Sequence, residues 1–162
     1  MIRNGATPTF VTNCTFVRNE SGDQDNEGTI SLTEEDQRGL TVQNCIFFRD
    51  SNKEIGRRGG SFTGSALPIV RYCTTDSSAG FFVNGIANIV NAEPDFVSNS
   101  DFRLRAGSPC IDRGNSLADI DPLTEGFQLL PFADLLGAPR FVDGDFDGEP
   151  TVDIGAYEFV GE

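Results

Sequence analysis

The densest chemistry in this chain lies in Asp143-Gly144-Asp145-Phe146-Asp147-Gly148-Glu149, with Asp153 four residues further on. Carboxylates at alternate positions with a Gly at the sixth can wrap hard oxygen ligands around one Ca2+. An EF-hand loop needs a bidentate Glu at its twelfth position; that position here is Ile154, so the segment is not an EF-hand. Two readings stand. One is a looser calcium loop with Asp143, Asp145, Asp147, Glu149 and Asp153 as metal ligands. The other is an acidic hairpin turn, since Asp-Gly is a favoured turn dipeptide. In the first reading calcium staples the C-terminal region and stabilises the native state by linkage.

Other reactive groups are dispersed. The chain has no His, which removes Ser-His-Asp and Cys-His nucleophile systems and every His-bearing metal site. A polysaccharide lyase or glycoside hydrolase needs carboxylates flanking the scissile bond, or a basic residue with a charge-neutralising metal. Asp23, Asp25 and Glu27 share one turn, Glu34, Glu35 and Asp36 the next, and Arg57, Arg58 and Asp76 follow. All fall in polar turns where charge is expected anyway, and no spacing singles out a pair. The catalytic residues of an enzyme reading therefore stay unassigned.

Charge narrows the partners. With 25 acidic against 12 basic residues and a net charge of −13, the chain would repel nucleic acid, whose binding needs clustered Lys and Arg. No run approaches the ~20 apolar residues of a membrane span. The start, Met1-Ile2-Arg3-Asn4-Gly5, has no apolar signal-peptide core and runs straight into strand-like sequence.

What positions these groups is a repeat. Thr9-Phe10-Val11-Thr12-Asn13-Cys14-Thr15-Phe16, Leu40-Thr41-Val42-Gln43-Asn44-Cys45-Ile46-Phe47 and Pro68-Ile69-Val70-Arg71-Tyr72-Cys73-Thr74-Thr75 align. Each is a short β-branched, apolar run followed by a polar turn, and Thr29-Ile30-Ser31-Leu32 supplies a further strand between the first two. Short strands, 18 Gly, 8 Pro and no convincing helix predict an all-β fold, a right-handed parallel β-helix of about three coils. Stacking should place Phe10 one layer from Leu40 and Phe16 one layer from Phe47. Cys14, Cys45 and Cys73 should form an inward ladder of thiols, because stacked Cβ vectors suit a disulfide badly. Cys110 reads as another buried small residue. An uncapped first copy exposes strand edges, so further coils and a signal peptide are expected upstream. Thr12, Thr15, Thr41, Thr74 and Thr75 keep no single register, which argues against an ice-binding surface. Asn13-Cys14-Thr15 and Asn19-Glu20-Ser21 match the glycosylation sequon, the first expected to be structural.

After Gly85 the repeat stops and a different, densely punctuated sequence begins. Asn88 to Val97, Asp101-Phe102-Arg103-Leu104 through Gly107-Ser108-Pro109-Cys110-Ile111-Asp112-Arg113-Gly114, Leu136-Gly137-Ala138-Pro139-Arg140, and Val152-Asp153-Ile154-Gly155-Ala156-Tyr157-Glu158-Phe159 follow in order. Together these stretches resemble the C-terminal module of bacterial right-handed β-helix proteins called choice-of-anchor Q domain proteins, over residues 68–160. Glu93-Pro94-Asp95-Phe96 replaces the usual Asp-Pro-Leu-Phe, and Cys110 stands where Ala is usual. The resemblance divides the chain into coils over 1–87 and a capping, anchor-associated region over 88–162. It implies a secreted or cell-surface location and no single shared activity. Ser108-Pro109 should break a strand, Asp112 should accept turn N–H bonds, and Asp153 and Glu158 should pair Arg113 or Arg140. The function expected is a non-catalytic adhesion or carbohydrate-binding scaffold whose partner is a polysaccharide or cell-surface glycan. The alternative is a fragment of a pectate-lyase-like lyase or a glycoside hydrolase.

Overall fold

The computed structural model describes residues 9–20, 28–32, 39–50, 54–57, 67–76, 85–118 and 131–161, and these contain strands but no helix. The first sheet contains β1 (Thr9–Thr12), β4 (Leu40–Gln43) and β7 (Ile69–Arg71), in that order. A second contains β2 (Thr15–Val17), β5 (Ile46–Phe48), β8 (Thr74–Thr75) and β9 (Ile89–Val90). The third pairs β3 (Ile30–Leu32) with β6 (Ile55–Arg57). Every one of these pairings is parallel. The described residues are thus all-β, with successive copies of the repeat contributing neighbouring strands to each sheet.

In the first two sheets the strands are short because a left-handed corner ends every one but β8. Asn13, Asn44, Tyr72 and Ala87 sit at φ 51–54° between the first and second strand positions, and Arg18, Arg49 and Asn91 at φ 55–57° close the second. That conformation carries roughly 1–2 kcal/mol of strain in an L-residue other than Gly and is least unfavourable for Asn. The thiol after the corner helps hold it: Cys14, Cys45 and Cys73 each donate to the carbonyl two residues back, of Thr12, Gln43 and Arg71, at 3.2 Å. All four cysteines are free thiols, and Cys45 and Cys73 are wholly buried. A hydrogen bond with Cys45 and burial push the Cys14 thiol well up, and burial does the same for Cys45.

Register follows from the corners. Val11, Val42 and Val70 align, as do Phe16 and Phe47, whose rings stack at 4.8 Å. Phe10, however, registers with Thr41, and the partner of Leu40 is Thr9. The aligned copies themselves pair Phe10 with Thr41; matching Phe10 to Leu40 by apolar type ignores that side chains alternate faces along a strand. Val11, Val42, Val70, Phe47, Ile30, Leu32, Ile55, Cys45 and Cys73, with Cys14 at the margin, form one core between the three sheets.

Parallel pairing also continues past residue 85. Ile86 bridges Arg71, β9 pairs with β8, and Ala87 repeats the corner, so Gly85–Asn91 is a fourth, shortened copy. Asn88 takes the place of the cysteine; its side chain accepts from the Cys73 N–H and donates to the Val70 carbonyl, tying adjacent copies together.

The opposite face of the second sheet is covered by the downstream chain. Ile46 and Phe48 pack with Leu104, Cys110, Ile111 and Ile154, with Val17, Ile89, Phe96 and Phe159 at the margin. Gly155, at φ 114°, is glycine because a Cβ there would lie 2.8 Å from Ile46 Cδ1 and 2.9 Å from Thr15 Oγ1. Asn44 anchors this layer: it accepts from Asn115 N at 2.8 Å and donates to Asn115 O at 3.1 Å, while its own carbonyl accepts from Gly155 N.

Asn44 therefore supplies both the corner and two buried hydrogen bonds. Asn44→Ala is expected to lower unfolding free energy by about 2–4 kcal/mol, and Asn44→Gly by less because only the hydrogen bonds are lost. Urea denaturation of both variants checks this; equal losses would show that corner strain contributes nothing.

Candidate functional site

The acidic loop is built on backbone donors. Asp143 Oδ1 accepts from Asp147 N and its Oδ2 from Gly148 N, both at 3.0 Å. Asp145 Oδ1 also accepts from Asp147 N, and Asp147 Oδ1 from Glu149 N. These bonds wind the loop over itself in the manner of Asx turns. Gly148 at φ 95° takes the left-handed position that closes it.

A residue from far upstream completes the cluster. Asp112 Oδ2 accepts from the N–H groups of Gly144 and Asp145, at 2.8 and 2.7 Å. One carboxylate oxygen each from Asp112, Asp143 and Asp145 lies within 4.8 Å of the others, a group able to hold a metal ion. Asp112 Oδ1 is buried and has no hydrogen-bond partner. Burial raises the Asp112 carboxyl above its usual range, against the lowering effect of the two loop N–H groups. An orphaned oxygen beside two further carboxylates fits a divalent cation, which would satisfy it and offset the mutual repulsion.

Of the expected metal ligands, Asp143 and Asp145 meet in this cluster. Asp147 and Glu149 stay exposed in the loop. Asp153 is turned inward: only 1% exposed, its Oδ1 accepts from Asp112 N at 2.8 Å and its Oδ2 from Phe159 N at 2.6 Å. Asp112 was legible only as a turn acceptor beside Gly114, because thirty-one positions separate it from Asp143. Its bonds go to the acidic loop instead of its own turn. Of the other candidate groups, Asp76 accepts from Arg49 N at 3.0 Å and Arg57 ends β6. Asp23, Asp25, Glu27, Glu34, Glu35, Asp36 and Arg58 lie outside the described residues.

Beside the loop lies a buried charge network. Arg140, 4% exposed, pairs with Glu158 at 2.8 Å and donates to the carbonyls of Gly155 and Ala156. Its guanidinium also reaches the first copy, where the Asn13 amide, turned to present its oxygen, accepts from it at 3.2 Å. Glu158 accepts from Asp153 N, and its own N–H donates to Asp134 Oδ2. Every member is thus hydrogen-bonded, as a buried ion pair requires. Of the pairings expected for Asp153 and Glu158 with Arg113 or Arg140, Glu158 pairs Arg140, whereas the Asp153 oxygens accept from backbone N–H groups instead. Asn13, buried at this junction, presents no open sequon.

Burial pushes the Asp153 carboxyl up to about 6 and, with help from the Asp153 charge, Glu158 up to about 8. Both groups then hold protons more tightly folded than unfolded, where their ranges lie near 3.8 and 4.5. Their contribution to stability is complete below those values and declines as pH rises through about 6 and about 8. The melting temperature is therefore expected to fall between pH 5 and pH 8.5, a window set by those two values. Glu158→Gln should flatten the upper half of that decline; an unaltered slope would place the proton elsewhere.

Comparison with protein-family models, with curated proteins and with solved structures finds no match to this chain.

Proposed function

We propose that this chain is a right-handed parallel β-helix of the choice-of-anchor Q type, serving as a secreted or cell-surface scaffold for adhesion or carbohydrate binding. The observation that carries this reading is the identical register of successive copies, each turned at the same left-handed corner. Such stacking generates a long, rigid side wall on which a chain-like ligand can lie, and rigidity limits the entropy lost on binding. The strongly acidic exterior suits an extracellular glycan partner better than a nucleic acid, whose phosphates need clustered Lys and Arg. Asp153 and Glu158 have their oxygens committed to backbone donors and to Arg140, a bracing role rather than acid–base work.

Immobilised polysaccharides of varied charge should retain the chain and remain intact after incubation. Release of unsaturated or reducing ends would establish instead the lyase or hydrolase reading, and retention by none of them would refute the scaffold reading.

A second reading rests on the orphaned Asp112 oxygen: the Asp112, Asp143 and Asp145 carboxylates take one Ca2+ that fastens the acidic loop. At saturating calcium the melting temperature is expected to rise by several degrees over the chelated protein, as about 2.7 kcal/mol of linkage at 100 times Kd implies. Asp145→Asn should abolish the rise. An identical melting temperature with calcium and with chelator would remove this reading.

A further inference from the structure

The corners that end β2 and β5 form a cleft of about 270 Å3 with the downstream chain, bounded by Arg18, Arg49, Arg105, Phe48, Phe96 and Phe102. In a chain with only 12 basic residues, three guanidiniums meet at one hollow. Arg18 and Arg49 occupy equivalent corners of successive copies, one step beyond the registered pair Val17 and Phe48, so their like charges are stacked by the fold itself.

Among the described residues, the direct acceptors of the Arg18 and Arg105 guanidiniums are neutral, and the ion pair of Arg49 is long and exposed. Arg18 donates to the Asn99 carbonyl at 3.2 Å and to its side-chain oxygen at 2.7 Å, both neutral acceptors. Arg105 donates to the Val97 carbonyl. Arg49 lies over the Phe48 ring, 4.8 Å from its centroid, with Glu93 at the long distance of 3.9 Å and both side chains half or more exposed. A screened contact of that kind contributes little. Neutral acceptors fix the geometry of the fork without spending its charge, which is how an anion site is preorganised.

The cleft also has an aromatic side. Phe96 packs edge-on to both Phe48 and Phe102, with centroids 5.8 and 5.4 Å apart, so the rings are held rigidly where they line the hollow. Glu93, Asp95, Ser98 and Asn99 add oxygen acceptors around it. The hollow is smaller than the roughly 300–1,000 Å3 of sites for drug-sized ligands, which suits one residue of a longer chain. Guanidiniums, a fixed aromatic wall and carboxylate acceptors together match a ligand with one anionic group, an apolar ring face and several hydroxyl donors.

We propose that this Arg18–Arg49–Arg105 cleft binds a carboxylated sugar residue of an acidic glycan. Its carboxylate meets the Arg18 and Arg49 forks, its ring face lies along Phe102 and Phe96, and its hydroxyls donate to Glu93 and Asp95. An acidic peptide is disfavoured because it offers neither a sugar ring face for Phe96 and Phe102 nor a row of hydroxyl donors for Glu93 and Asp95. The assignment rests on the carbohydrate-binding reading and names the ligand for it.

Titration of the full chain with glucuronic acid, its methyl ester, glucose and a short poly-aspartate peptide, followed by heteronuclear NMR, tests it. Expected are shifts at Arg18, Arg49 and Phe102 with glucuronic acid, weakened by salt, and about tenfold weaker binding of the ester and of glucose. Arg49→Gln, at an exposed position that should leave the melting temperature unchanged, is expected to weaken the acid about tenfold and the ester little. Phe102→Ala should weaken both. Equal affinity for acid and ester, stronger binding of the peptide, no shifts in the cleft, or indifference to Arg49→Gln would each overturn the proposal. If the variant still binds an immobilised glycan as tightly as the parent, the cleft assignment fails while the scaffold reading survives; if no glycan binds either protein, both fail.

Discussion

The left-handed corner before each cysteine position is the constraint on which the rest depends. At Asn13, Asn44, Tyr72 and Ala87 the backbone takes nearly the same φ, so each copy leaves the first sheet and enters the second at the same point. Equal corners make equal registers, and equal registers bring valine over valine and phenylalanine over phenylalanine. Strain accepted four times over is offset by the thiol-to-carbonyl bonds and by the core those ladders build. Asn at two of the corners is a local choice agreeing with a global requirement.

The second sheet differs from an ordinary solvent-facing sheet in that β5 is buried on both faces. Phe47 points to the core between the sheets, while Ile46 and Phe48 point the other way and are covered by Leu104, Cys110, Ile111 and Ile154. That explains the continuous apolar run Ile46-Phe47-Phe48, which shows no alternation. The same outer layer positions the two chemically notable sites. Ile111 and Ile154 anchor the stretch from which Asp112 and Asp153 project, and Phe96 and Phe102 form one wall of the arginine cleft.

Much of the first half was legible in the sequence, because a repeated Asn-Cys-x-Phe leaves little freedom in how copies superpose. The short strands, the third-sheet strand at Ile30–Leu32, the free thiols and the Phe16–Phe47 contact are all found. The fourth copy escaped notice since Asn88 replaces the cysteine and arrives after only fifteen residues. Its role is the same for a different chemical reason, an amide bridging two backbones instead of a thiol filling a void. The site was less legible. A run such as Asp143–Glu149 declares its own charge, but nothing in spacing reveals that Asp112 will accept from its N–H groups or that Asp153 will turn inward. Those outcomes are decided by tertiary packing of Ile111, Ile154 and Phe159.

The covering layer runs back along the stack, from the level of β9, where Phe96 and Leu104 pair, to the first copy, where Ala156 N donates to Thr15 Oγ1 across 141 positions. A plain repeat array gains stability copy by copy and unravels from its ends. Here a strap of late sequence fastens early sequence, so contacts of the highest separation close the structure. Folding should then be slow for a chain of this size, with the loop-closure entropy met before the reward. On a ribosome the stacked copies would wait, with Ile46 and Phe48 exposed, until Leu104, Cys110, Ile111 and Ile154 emerged to cover them.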